Sequence, residues 1–146
     1  MPRLPTRDQL QVWREFIETT EALRARLATR LQADSGLSPG DYAVLLALSE
    51  APEHRLRPSV LAATISWERS RLSHHLGRME RRGLIRRERD VIAEEAGLTA
   101  FHAATFPHLS AVRELFVDVL TPEQLDALAD VTRALRASAR DGHGLD

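Results

Sequence analysis

The chain has 146 residues, enough for one domain with a real core, and its 43% hydrophobic and 28% charged residues are ordinary for a globular protein. It has no cysteine, which excludes disulfides, thiolate metal sites and thiol redox sensing. No apolar run approaches a membrane span and the start M-P-R-L-P-T-R-D lacks a signal-peptide core, so the expected location is the cytoplasm.

From about Asp8 to Gln32 apolar residues recur at helical spacing: Trp13, Phe16, Ile17, Leu23, Leu27 and Leu31. Gly36 ends this helix. Its length predicts packing against more than its own domain. A second helix opens with Ser38 as cap and Pro39 in the first turn. Its expected buried positions are Tyr42, Leu45, Leu46 and Leu48, and it ends near Ala51-Pro52. Arg55-Leu56-Arg57 reads as a short extended piece. Pro58 starts a third helix, with Val60, Leu61 and Ile65 apolar.

After a short break at Ile65-Ser66-Trp67 comes the stretch that carries the function, S-W-E-R-S-R-L-S-H-H-L-G-R-M-E-R-R-G. On a helical wheel Leu72, Leu76 and Met79 share one face. Ser70, His74, Gly77 and Arg81 lie opposite, flanked by Arg71, Ser73 and Arg78. Arg69 and His75 fall closer to the buried side. Ser66 is the expected cap of this helix and Gly83 its left-handed stop. Two short helices joined by a tight turn, the second basic on its outer face, form a helix-turn-helix. In a DNA major groove Arg forks onto guanine, Ser bonds base or phosphate, and a small residue permits close approach. Taken alone, the helix fits a solvated amphipathic helix equally well.

Charge distribution favours the groove. Net charge is −1, yet residues 66–90 carry 8 Arg against 4 acids. Residues 1–65 carry 8 Arg against 8 acids, and residues 91–146 carry 4 against 9. The positive charge is gathered on the one segment with a groove-reading face.

Leu84 to Asp90 and Val91-Ile92-Ala93 read as two strands of a basic hairpin, a wing beside the helix-turn-helix. Glu94 to Leu120 is helical again, with Pro107 expected to kink or break it. Thr121-Pro122 starts a last helix carrying Leu125, Leu128, Val131 and Leu135, and the tail from Ala137 should fray. The first and last helices leave long apolar stripes outside the winged unit, as a dimer would.

The order of elements, with G-L-S-P-G-D-Y-A-V-L, S-R-L-S-H-H-L-G-R-M-E-R-R-G-L-I-R-R and L-T-P-E-Q-L, resembles the MarR (multiple antibiotic resistance regulator) family of bacterial winged-helix transcription factors, from about Val12 to Leu135. The resemblance implies a mainly α fold. Residues 38–93 would form the winged helix-turn-helix lobe that binds DNA. Residues 8–32 and 95–138 would intertwine as a dimerisation lobe. It implies a homodimer on a palindromic operator of double-stranded DNA, repression as the commoner mode, and a small aromatic or anionic effector that releases the DNA. It places Arg69, Ser70, Arg71, Ser73, His74 and Arg78 of the recognition helix on DNA, with Arg86, Arg87 and Arg89 of the wing. Trp13, Phe16 and Tyr42 are the effector-binding candidates; Trp13 and Trp67 could each line a pocket, although each reads more readily as core or interface packing.

Family wings are usually longer than this one, in which only Asp90 separates Arg89 from Val91. With no turn chemistry at that point, residues missing between Asp90 and Val91 are expected. No phosphate loop, nucleophile elbow or metal-ligand spacing occurs, so neither an enzyme, a cofactor nor a metal site is expected. His74, His75, His102 and His108 read as solvated or DNA-facing, and Glu94 and Glu95 as helix-start charges. The competing class is a winged-helix dimerisation or protein-interaction module without DNA binding. Such a module has no reason to keep Arg71, Arg78 and Arg81 outward.

Overall fold

The computed structural model describes residues 1–141. The chain divides into two compact units, Met1–Leu109 and the residues from Ser110 onward. Six α-helices and a three-stranded antiparallel sheet make it mainly helical among the described residues.

In the first unit, α1 (Arg7–Ser35) begins at a reciprocal cap between Thr6 and Gln9 and stops at Gly36, whose φ of 72° is left-handed. Helix α2 (Pro39–Glu50) is capped by Ser38, and Asp41 completes the reciprocal pair. It buries Asp41, Tyr42, Val44, Leu45, Ala47 and Leu48. Leu46, expected inside, is exposed. The buried arc is centred on Val44, Leu45 and Leu48, and Leu46 falls off its edge. A single 3₁₀ turn (Pro52–His54) leads to β1 (Arg55–Leu56), then α3 (Pro58–Ile65).

Ser66 does not cap the next helix. It ends α3 in the left-handed region at φ 58°, a position that glycine usually fills. The N-cap of α4 (Arg69–Arg81) is Glu68, without a side-chain cap bond. Leu72, Leu76 and Met79 are fully buried, as the wheel predicts. Gly83, at φ 74°, turns the chain into β2 (Ile85–Arg87).

Strand β3 (Val91–Ala93) lies between β1 and β2. Ile85 pairs with Ala93, and Arg87 with Val91. The wing is complete at this length, which corrects the expectation of missing residues. The Glu88 N–H donates to the Asp90 carbonyl at 3.0 Å and closes the turn. The Asp90 carboxylate accepts from Arg55 Nε at 3.0 Å, tying the turn to β1. An aspartate anchored from outside the hairpin replaces the local turn signal.

Helix α5 (Glu95–Val112) continues through Pro107, which does not break it. In the second unit, a π turn (Arg113–Val117) closes with Asp118 N–H donating to the Arg113 carbonyl at 2.8 Å. A reciprocal cap between Thr121 and Gln124 starts α6 (Pro122–Asp141). Residues 137–141, expected to fray, are helical, and the rest of that tail lies outside the described residues.

Among the described residues no helix is long and apolar enough to cross a membrane. The core of the first unit joins Leu31 of α1 and Leu37 to α2, α3, α4 and the sheet. It therefore sets α4 on a rigid base with its other face outward.

Candidate nucleic-acid interface

The outer face of α4 and the wing form one surface. Ser70, Ser73, His74, Gly77, Arg81 and Arg87 border a shallow concavity. All are exposed except Gly77, which is half-buried. Arg81 has no ion-pair partner among the described residues. Hydroxyls, an imidazole, two guanidiniums and a residue with no side chain thus share one open surface, the donor and acceptor set that base edges require.

The wing arginines differ from one another. Arg87 braces the wing against α4. Its Nη1 donates to the Ser73 carbonyl at 3.2 Å, and its backbone N–H donates to Glu80 Oε2 at 2.8 Å. Arg86 is bound by Glu88 at 3.1 Å and Glu94 at 3.4 Å, so its guanidinium is held above its ordinary pKa, chiefly by the Glu88 bond. Arg89 is exposed at the turn. Arg69, expected nearer the buried side, is exposed as the first residue of α4. It borders a second small groove with Pro58, Ser73 and Arg87.

Arg71 and Arg78 turn to the flank of α4. Arg71 stacks over Trp67 and Arg78 meets His75, and both line a cavity of about 630 Å³ under α1. Arg24 brings a third guanidinium, while Tyr42, Trp67, Leu27 and Leu31 supply apolar wall. His108 faces Tyr42 at 4.5 Å between ring centroids. Among the described residues its buried Nδ1 has no hydrogen-bond partner, and burial holds its pKa below the usual imidazole value.

Tyr42, predicted for the effector site, is in this cavity. Trp13 and Phe16 are not among its lining residues and stand exposed on α1. Trp67, offered by the sequence beside Trp13 as pocket wall, lines it too, whereas sequence reasoning missed Arg24, His75 and His108 as companions in the same cavity. The available signal was His75 on the buried side of the wheel, since a buried imidazole needs a partner.

A sequence profile of the MarR family matches residues 35–91. The chain is 35% identical to Sco3205, a MarR family transcriptional regulator from Streptomyces coelicolor solved in complex with DNA. That match covers 94% of this chain and 91% of Sco3205, with a TM-score of 0.87. AbsC, a MarR family transcriptional regulator from the same organism, is 33% identical over 96% of this chain and 99% of its own, at a TM-score of 0.86.

The chain belongs to the MarR family.

It is accordingly a DNA-binding transcriptional regulator and not an enzyme. The wider MarR fold recurs in the organohalide-sensing regulator RdhR-CbdbA1625, solved with 2,4-dichlorophenol bound. That protein is 19% identical over 93% of this chain and 86% of its own, at a TM-score of 0.78. Comparison with curated protein sequences gives no significant match.

Proposed function

We propose that this MarR-family protein represses transcription by binding a palindromic operator as a homodimer, and that a small aromatic anion releases it. The observation that carries the reading is the open concavity of α4, with Ser70, Ser73, His74 and Arg81 around Gly77. In this reading Ser70, Ser73 and His74 meet base edges, joined by Arg81. Arg69 reaches phosphate from the helix start, and Arg71 and Arg78 act from the flank. Arg86, Arg87 and Arg89 present the wing to the backbone or minor groove. The solved Sco3205–DNA complex, from a relative 35% identical, supports the DNA reading.

Residues 38–93 act as the DNA lobe, and residues 8–32 and 95–138 as the dimerisation helices. Exposed apolar side chains support this assignment: Leu10, Val12, Trp13 and Phe16 on α1, and Val131 and Leu135 on α6. Surfaces of this kind mark contact with another protein surface. A dimer also spaces two recognition helices for successive major grooves. The protein works where its DNA is, in the cytoplasm.

The cavity suits the effector. Three guanidiniums from Arg24, Arg71 and Arg78 surround aromatic wall from Tyr42 and Trp67, which fits an aromatic ring bearing a carboxylate or phenolate. Trp13 and Phe16 would join such a site only from the dimer face.

The test is fluorescence anisotropy with a duplex selected by the protein from a random pool, across salt concentrations. The expected result is tight binding whose log affinity falls with log salt by about 0.9 per phosphate contact. A flat salt dependence, or no selected duplex, contradicts the reading.

A further inference from the structure

Asp41 is a buried carboxylate in the first turn of α2, and its two oxygens serve three donors. Oδ2 accepts from the Ser38 N–H at 2.9 Å and from Arg82 Nη1 at 2.7 Å. Oδ1 lies 2.9 Å from His75 Nε2. Burial opposes the charged form, but the bonds from His75, Arg82 and Ser38 outweigh it, so the carboxyl is held well below the usual range. Arg82 also donates from Nη2 to the Gly36 carbonyl at 3.2 Å.

The other ring nitrogen of His75, Nδ1, lies 3.1 Å from Arg78 Nη2. A guanidinium can only donate, so Nδ1 accepts. The ring proton is then on Nε2 and is donated to Asp41. A carboxylate–imidazole–guanidinium chain therefore runs from α2 into α4. It is confined on the α2 side, because a methyl group on Gly40 would come within 2.7 Å of Trp67 and 2.8 Å of His75.

We propose that Asp41 and His75 are positioning residues for DNA recognition. Through His75 and Arg82 the carboxylate fixes the roll of α4 about its own axis, and through His75 it holds Arg78 on the flank. The proposal rests on the reading of α4 as the DNA-reading helix. Neither residue borders the outer concavity.

The apolar stripe of Leu72, Leu76 and Met79 attaches α4, but hydrophobic contact is non-directional and tolerates a small roll. Directional bonds from a buried carboxylate do not. Base readout depends on that roll, since Ser70, Ser73, His74 and Arg81 must meet base edges at hydrogen-bond distance. Attraction to phosphate is far less sensitive to it. Loss of the anchor therefore lowers discrimination between sequences more than general affinity for DNA.

The experiment uses the full chain, a duplex selected by the wild type and a scrambled duplex of the same length. The variants are Asp41→Asn and His75→Gln. Asparagine keeps one acceptor oxygen for Ser38 but cannot serve His75 and Arg82 together, while His75→Gln leaves the α2 cap intact. Far-UV circular dichroism establishes that each is folded.

In each variant, affinity for the selected duplex should fall by about tenfold, the loss of one well-placed contact. Affinity for the scrambled duplex should stay within about twofold. In wild type, the ¹⁵N spectrum of His75 should show the Nε2–H tautomer with Nδ1 unprotonated, and Asp41→Asn should lose it. An unchanged ratio in either variant, parallel weakening on both duplexes, or a proton on Nδ1 overturns the proposal. Loss of discrimination in Asp41→Asn alone assigns the effect to the α2 cap and overturns it too. A wild type that prefers no sequence sinks the DNA reading itself, which a failure confined to the variants does not.

Discussion

The guanidinium of Arg71 lies 3.8 Å from the centroid of the Trp67 ring. Trp67 also meets His75 edge-on at 5.2 Å and packs against the core of the first unit. One indole in the helix-turn-helix turn therefore supports two residues of α4. Trp67→Ala should destabilise the fold by about 2–4 kcal/mol through lost packing and the lost cation–π contact. Trp67→Phe should recover most of that. Chemical denaturation measures both, and an alanine variant as stable as wild type would show that the ring carries little.

Ser66 ends α3 at φ 58° without glycine's freedom. A side chain there costs about 1–2 kcal/mol, part of which glycine returns as unfolded-state entropy. Ser66→Gly should therefore raise stability by up to about 1 kcal/mol and leave DNA affinity unchanged. A drop in denaturation midpoint would mean that the hydroxyl has a role that the geometry does not show.

Arg81 and Arg86 carry the same charge in different settings. Arg81 is without an ion-pair partner among the described residues, whereas Arg86 is countered by Glu88 and Glu94. Arg81→Ala should cost about 1–3 kcal/mol of affinity for a selected duplex, as expected of a base-reading arginine. Arg86→Ala should cost less, because its charge is already spent on two carboxylates. Equal losses in anisotropy titrations would contradict this ranking.

Much of this was legible in the chain. The caps at Ser38 and Thr121, the stop at Gly83 and the apolar stripe of α4 are local signals, and periodicity and capping chemistry read them directly. Leu46 was misplaced because a short, strongly apolar helix offers several arcs of similar hydrophobicity, and tertiary packing chooses among them. The wing turn was misread because its anchor, Arg55 on Asp90, joins residues far apart in sequence. The cavity was unreadable for the same reason, since Arg24, Tyr42, Trp67 and His108 meet only in the fold. The outward set Ser70, His74, Gly77 and Arg81 came from the wheel alone. The sideways turn of Arg71 and Arg78 did not, because it depends on Trp67 and His75.

Asp41 makes stability depend on acid. Its carboxyl is held below the ordinary range in the folded chain, so folding favours the ionised form. That contribution is present above the unfolded value near pH 4 and is lost as pH falls toward the folded one. The melting temperature should therefore drop between about pH 5 and pH 3, and the drop should be shallower in Asp41→Asn. Parallel curves for the two proteins would place the acid sensitivity elsewhere.

The central claim is that the outer face of α4 enters the major groove, once per protomer. The chain has no cysteine, so Ser73→Cys creates a unique attachment point for a DNA-cutting iron chelate. On the selected duplex the account predicts two clusters of strand cleavage about one helical turn, roughly 34 Å, or a multiple of it apart. The same reagent at Ser138→Cys on α6 should give none. Uniform cutting from Ser73→Cys, or cutting from Ser138→Cys instead, would contradict it.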